Sequence, residues 1–173
     1  MIEIARSYTF GAPIDRVWTL LMDTTALSSC IPGCESLDPD PETELRYKIK
    51  LSVKLAAVMG TYNGSVQIVD LVPLQSYGLL AEGNGRPGFV KGKAAIVLSS
   101  EAGAPQTTTL TVAGEVHAGG AIARVGQRLL KSAARLMMDR FFKRLKAVAE
   151  GRAVSGAELD AAEDPSEDIA EES

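Results

Sequence analysis

The chain has 173 residues, 46% of them hydrophobic and 23% charged, an ordinary balance for one globular domain with a core and room for a tail. No apolar run is long enough to span a membrane, and the N-terminus lacks the basic-then-apolar pattern of a signal peptide, so a cytoplasmic location is the default. The formal net charge is −4 and aromatic residues make up 5%, which argues against a nucleic-acid partner.

Residues 2–10 read as a strand, with Ile2, Ile4, Tyr8 and Phe10 sharing a face with Arg6. Gly11 breaks it. Pro13 suits the first turn of a short apolar helix containing Val17, Trp18, Leu20, Leu21 and Met22. Asp23 or Thr24 is placed to cap a second short helix through Leu27. Cys30-Ile31-Pro32-Gly33-Cys34 closes the region as a tight turn. Residues 44–55 give the cleanest signal: Leu45, Tyr47, Ile49, Leu51, Val53 and Leu55 alternate with polar or charged residues, as in a strand with one buried and one wet face. Further strands are expected over 60–71, 76–83, 90–99 and 106–118, with a glycine-rich loop between the second and third of these four.

Residues 120–150 carry the one long helical pattern. Ile122, Val125, Leu129, Ala133, Leu136, Met137, Phe141, Leu145 and Val148 recur at steps of three and four. Thirty residues at ~1.5 Å each make a rod of roughly 45 Å. Gly119 and Gly120 mark its entry, and Gly151 is placed as a C-terminal cap. Residues 121–150 hold eight basic and two acidic groups, whereas 151–173 hold one and eight. The second stretch has few large apolar residues and reads as a disordered acidic tail following a domain of residues 1–150.

The expected order is therefore a strand, two short helices, a run of antiparallel strands and a long helix. Short connections favour a meander. An α+β architecture results, a curved antiparallel sheet of about seven strands wrapped around the long C-terminal helix. One rod cannot fill a wide trough, so a cavity between sheet and helix is expected. Its candidate walls are Trp18, Leu21, Leu51, Val53, Tyr62, Val66, Leu79, Phe89, Ile96, Leu110, Val112, Leu129, Ala133, Met137 and Phe141. Ala133 stands among larger residues and leaves room.

Few residues suggest reaction chemistry. Gly83-Asn84-Gly85-Arg86-Pro87-Gly88 matches a dinucleotide fingerprint literally, but that site needs a helix to follow, and here a strand follows and Pro87 interrupts. The segment reads instead as a hairpin loop or as a gate over the cavity, with Gly85 and Gly88 as mobile points and Phe89 as an apolar tip. Cys30 and Cys34 alone cannot complete a zinc site, and the single histidine, His117, lies on another element. No carboxylates converge and no nucleophile motif sits beside His117, so neither a catalytic residue nor a metal ligand is assigned. Arg124, Arg128 and Lys131 step along one helix face, as in a solvated surface or a docking site for an acidic partner or anionic lipid.

Several segments resemble the CoxG family of carbon monoxide dehydrogenase subunits across about residues 1–150. They are Phe10, Ala12-Pro13, Val17-Trp18, Leu21, Asp23, Ile31-Pro32-Gly33-Cys34, Tyr62-Asn63-Gly64, Gly85, Gly88 to Gly92-Lys93-Ala94, the 109–112 strand, and Gly120-x-x-Ala123-x-x-Gly126. That family is similar to the START and birch-pollen-allergen helix-grip superfamily. The resemblance implies the helix-grip fold, a largely apolar cavity for a quinone or lipid, and no covalent chemistry or covalently held cofactor. It also implies work beside a molybdenum-containing carbon monoxide dehydrogenase or related hydroxylase, at the inner face of the cytoplasmic membrane. Two other readings stay open: an assembly factor for that enzyme with a filled core, and a helix-grip enzyme acting in the cavity.

Overall fold

A computed structural model describes residues 1–152; the acidic segment expected to form a tail lies almost wholly outside the described residues. The elements run β1 (Ile2–Phe10), α1 (Ile14–Leu21), α2 (Thr24–Cys30), β2 (Cys34–Pro39), β3 (Arg46–Val53), a 3-10 turn (Ala56–Val58), β4 (Gly60–Val72), β5 (Ser76–Gly85), β6 (Gly88–Glu101), β7 (Ala104–Gly119), a second 3-10 turn (Gly120–Val125) and α3 (Gln127–Ala149). The seven strands form one antiparallel sheet in the order β1-β7-β6-β5-β4-β3-β2. Every neighbouring pair except β1–β7 is consecutive in sequence, so the meander expected from short connections is present.

Local chemistry explains the ends of these elements. Asp23 caps α2, its carboxylate accepting from the backbone N–H groups of Thr25 (2.9 Å) and Ala26 (3.3 Å). The long helical pattern is broken at Gly126, whose φ of +93° favours glycine. The run therefore splits into a 3-10 turn and a helix of 23 residues, about 35 Å long at ~1.5 Å per residue, shorter than the uninterrupted rod expected. At its far end Gly151 adopts φ +75° and donates to the Val148 carbonyl, while Arg152 donates to that of Ala147, closing the helix as a glycine-terminated cap. The Arg16 guanidinium of α1 donates to the carbonyls of Ala149 (3.0 Å) and Val148 (3.1 Å), and the Glu150 carboxylate accepts from the Gly11 N–H at 2.8 Å. The guanidinium bonds satisfy carbonyls that a helix end leaves open, and all three tie α3 to the β1–α1 junction.

Helix α3 meets the sheet mainly along β1 and is flanked by α1, α2 and the 56–58 turn. Its hold on β1 is polar as well as apolar. Arg6 and Tyr8 both donate to the Asp139 carboxylate, Tyr8 at 2.7 Å, and the Tyr8 ring stacks on Phe142 with centroids 4.3 Å apart. Burial and the Asp139 carboxylate hold the Tyr8 phenol well above its ordinary range.

Packing divides the interior in two. The C-terminal half of α3, with Phe142, Leu145 and Ala149, closes on Phe10, Val17, Leu21, Cys30, Ile96, Leu110 and Val112 in a filled core. The N-terminal half, with Ala133, sits over a smaller group made of Val53, Leu55, Val58, Tyr62 and Ile122. Inward residues of β3 such as Ile49 and Leu51 are only half-buried there.

Candidate functional site

Under the N-terminal half of α3 lies a cavity of about 330 Å³. Pairing across the sheet shows why space remains. One inward row runs Ile49, Gly64, Gly83, Val90 and Ala118 across β3 to β7, and the next runs Val66, Ala81, Gly92 and Val116. Strand residues two apart share a face, so these rows are the floor, and its middle consists of glycine and alanine. The roof opposite is equally spare: Leu130, Ala133, Ala134 and Met137 of α3 line the cavity, with Ile122 and Val58 at one end.

The walls are nearly all apolar. Tyr62 contributes the one phenol, and its hydroxyl donates to the Val58 carbonyl at 2.7 Å. Burial raises its pKa, so it stays neutral. Glu82 touches the cavity between Ala81 and Gly83, but it has the opposite strand parity and is exposed. A surface of this kind favours an apolar occupant by about 25 cal/mol per Å² removed from water and presents no acid–base pair to it.

Six expected wall residues line this cavity: Leu51, Val53, Tyr62, Val66, Ala133 and Met137. Leu21, Ile96, Leu110 and Val112 instead belong to the filled core, with Trp18, Leu79 and Phe141 packed against it. Trp18 meets Tyr77 edge-on at 5.7 Å, and Phe141 meets Phe142 edge-on at 4.8 Å. Leu129 is half-buried outside the lining, where Leu130 takes the position facing the cavity. The restart of the helix after Gly126 changes which residues fall on the inner stripe. Phe89 also departs from the expectation. It is 44% exposed, and its ring lies over the backbone of Gly119. Phe89 and Ile96 are separated by an odd number of positions on one strand and cannot share its inner face; Val90 faces the cavity.

The glycine-rich segment is not an open loop. Strand β5 continues to Gly85 and β6 begins at Gly88, leaving Arg86-Pro87 as the hairpin turn. A Cβ on Gly85 would lie 2.4 Å from the Thr61 carbonyl oxygen, and one on Gly88 2.1 Å from that of Gly119. Both glycines are thus required by close backbone approach rather than by mobility. The neighbouring 120–125 turn is bounded by Gly120 (φ +79°) and Gly126 (φ +93°) and held to the hairpin by the Ile122 N–H donating to the Pro87 carbonyl. Gly88→Ala is expected to destabilise the protein by about 2 kcal/mol, because alanine strains the φ of +137° and meets that carbonyl. A lower midpoint in urea unfolding checks this; an unchanged midpoint contradicts it.

Arg124 and Arg128 are exposed and Lys131 half-buried at the N-terminal end of this helical region. His117 is 54% exposed, with Glu115 3.9 Å away. Cys30 is buried in the filled core; the Cys34 thiol donates to the Ser36 carbonyl, and burial pushes both thiols up, so neither is activated. Among the described residues no group of three or more His, Cys, Asp or Glu side chains is arranged to hold a metal ion. No helix among them is long and apolar enough to cross a membrane.

A curved antiparallel sheet gripping a C-terminal helix over an apolar cavity defines a START-like, helix-grip protein. The model of the CoxG family of carbon monoxide dehydrogenase subunits matches residues 7–150, and the chain belongs to that family. Its fold is similar to the crystal structure of a conserved protein from Geobacillus kaustophilus (TM-score 0.82, 34% identity, covering 87% of this chain and 96% of that one). It is also similar in fold to the ZhuI aromatase/cyclase of a Streptomyces species (TM-score 0.65, 14% identity, 86% and 93% covered). A START superfamily protein from Mycobacterium smegmatis superposes with a TM-score of 0.63 at 12% identity, with 86% and 97% covered. No curated protein matches the chain.

Proposed function

We propose that this chain holds a hydrophobic small molecule, a quinone or a lipid, in the 330 Å³ cavity and serves a molybdenum-containing carbon monoxide dehydrogenase or related hydroxylase at the cytoplasmic membrane, without performing covalent chemistry. The observation that carries this reading is the cavity's composition. Its floor of glycine and alanine and its roof of Ala133 and Ala134 leave an apolar space, and its one phenol is already hydrogen-bonded to Val58. Membership of the CoxG family supports the choice of partner enzyme. Ligand entry past the 120–125 turn fits its flanking glycines better than entry past the pinned hairpin.

Calorimetric titration with a short-chain benzoquinone tests the reading. Saturable binding with a negative heat-capacity change is expected, since apolar surface leaves water. Absence of saturable binding to such quinones and to single-chain lipids would count against a carrier and favour an assembly factor.

A further inference from the structure

Of the residues lining the cavity only Tyr62, Ser65 and Glu82 carry hydroxyl or charged side chains. Ser65 and Glu82 pair with each other across β4 and β5 and have the opposite strand parity to Gly64 and Gly83, and the Ser65 hydroxyl accepts from the Arg46 guanidinium. Tyr62 shares the parity of Gly64 and Val66 and is buried. Two glycines leave room for its ring: a Cβ on Gly85 would lie 3.2 Å from the Tyr62 Cδ1, and one on Gly60 3.9 Å from its Cε2.

The Tyr62 hydroxyl has one proton, and it donates that proton to the Val58 carbonyl at 2.7 Å in a buried bond. Val58 is itself buried at the end of the 56–58 turn, so swinging the hydroxyl toward a ligand would strip a buried carbonyl of this donor. What Oη keeps for the cavity is its lone pairs. Met137 of the roof adds a thioether sulfur, a weak acceptor. The side chains facing the cavity thus offer acceptors and no free donor. We infer that Tyr62 sets the specificity of the cavity, which selects the hydroxyl-bearing form of an apolar ring ligand, a phenol or quinol, over the carbonyl-bearing quinone. This rests on reading the cavity as a ligand site and adds which oxidation state that site favours.

A quinol hydroxyl entering the apolar space can donate to Oη and so replace a bond it made to water. Quinone carbonyls meet no side-chain donor there and lose their water without replacement. One neutral hydrogen bond made rather than missed separates the two by about tenfold in affinity. Apolar burial is common to both and sets the affinity they share. The cavity accordingly retains the reduced ring and releases the oxidised one more readily.

Anaerobic calorimetric titration of the full chain with a short-chain benzoquinone and with its quinol tests this. A para-propylphenol and its methyl ether form a second pair, which differs in the donor and cannot change oxidation state. Binding of the quinol and of the phenol about tenfold tighter than their partners is expected. In Tyr62→Phe both preferences should vanish while affinity for the quinone and the ether is kept; a merely structural role would lower all four together. Unchanged circular dichroism would show that the variant folds. If it does not fold, a ring-fluorinated tyrosine at position 62 keeps the ring and the bond to Val58 but makes the hydroxyl a poorer acceptor, and weaker phenol binding with unchanged ether binding is then expected. Equal binding within each pair, tighter binding of the quinone, or a preference that survives in folded Tyr62→Phe overturns the inference and leaves the ligand site standing. Failure of all four compounds to bind overturns both.

Discussion

Gly83→Leu is expected to lower retention of a hydrophobic ligand at least about tenfold while leaving the thermal midpoint unchanged or raised. Gly83 lies in the middle of the cavity floor, paired with Gly64 on one side and Val90 on the other. Its backbone is not in the left-handed region, and a Cβ built there meets nothing nearer than the Tyr62 Cβ at 3.9 Å. A leucine side chain can therefore stand upright into the cavity without displacing backbone. Ala133→Trp, from the buried roof residue opposite, is expected to exclude ligand in the same way, with more strain because tryptophan is larger than the gap above a single methyl. Quinone titration and thermal unfolding of the two variants check this. Wild-type affinity in a folded Gly83→Leu protein would mean that the ligand sits elsewhere.

Leu145→Ala should be among the most destabilising single substitutions, by about 3 kcal/mol or roughly 10 °C in midpoint. Leu145 is fully buried in the filled core with Phe10, Val17 and Leu110, so its removal leaves a hole that close-packed neighbours cannot close. Met137→Ala, about two turns earlier on the same helix, borders the cavity and is only half-buried. It forfeits fewer contacts and should cost about 1 kcal/mol. Urea unfolding of the pair measures the difference directly. Equal losses would show that both halves of α3 are packed alike and that the interior is not divided.

That division is the part of the architecture least visible in the chain. Strand β3 is legible because its apolar residues alternate with lysines and an arginine, and a period of two leaves one assignment of faces. The grip of sheet on helix follows from that pattern and the long stripe of α3. Strand β2 has no clear signature, since its short run Cys34–Pro39 combines turn residues with one large apolar side chain. The break at Gly126 is hidden because a single glycine does not reveal its φ in the sequence. Leucine, valine and phenylalanine line a cavity and fill a core equally well, so Ile96, Leu110 and Val112 read as walls although they are core. The cavity itself is marked by what is missing: Gly64, Ala81, Gly83 and Gly92 become one floor only when β4, β5 and β6 are placed side by side. A register sets that floor, and no local pattern records it.

Native mass spectrometry of the wild type and Gly83→Leu, each purified without detergent from the same cells, tests most directly whether the cavity carries a ligand. An adduct of one hydrophobic molecule is predicted on the wild type, recoverable by organic extraction and absent or much reduced in Gly83→Leu. Bare mass for both proteins, with no uptake when a benzoquinone or single-chain lipid is added before measurement, would contradict it.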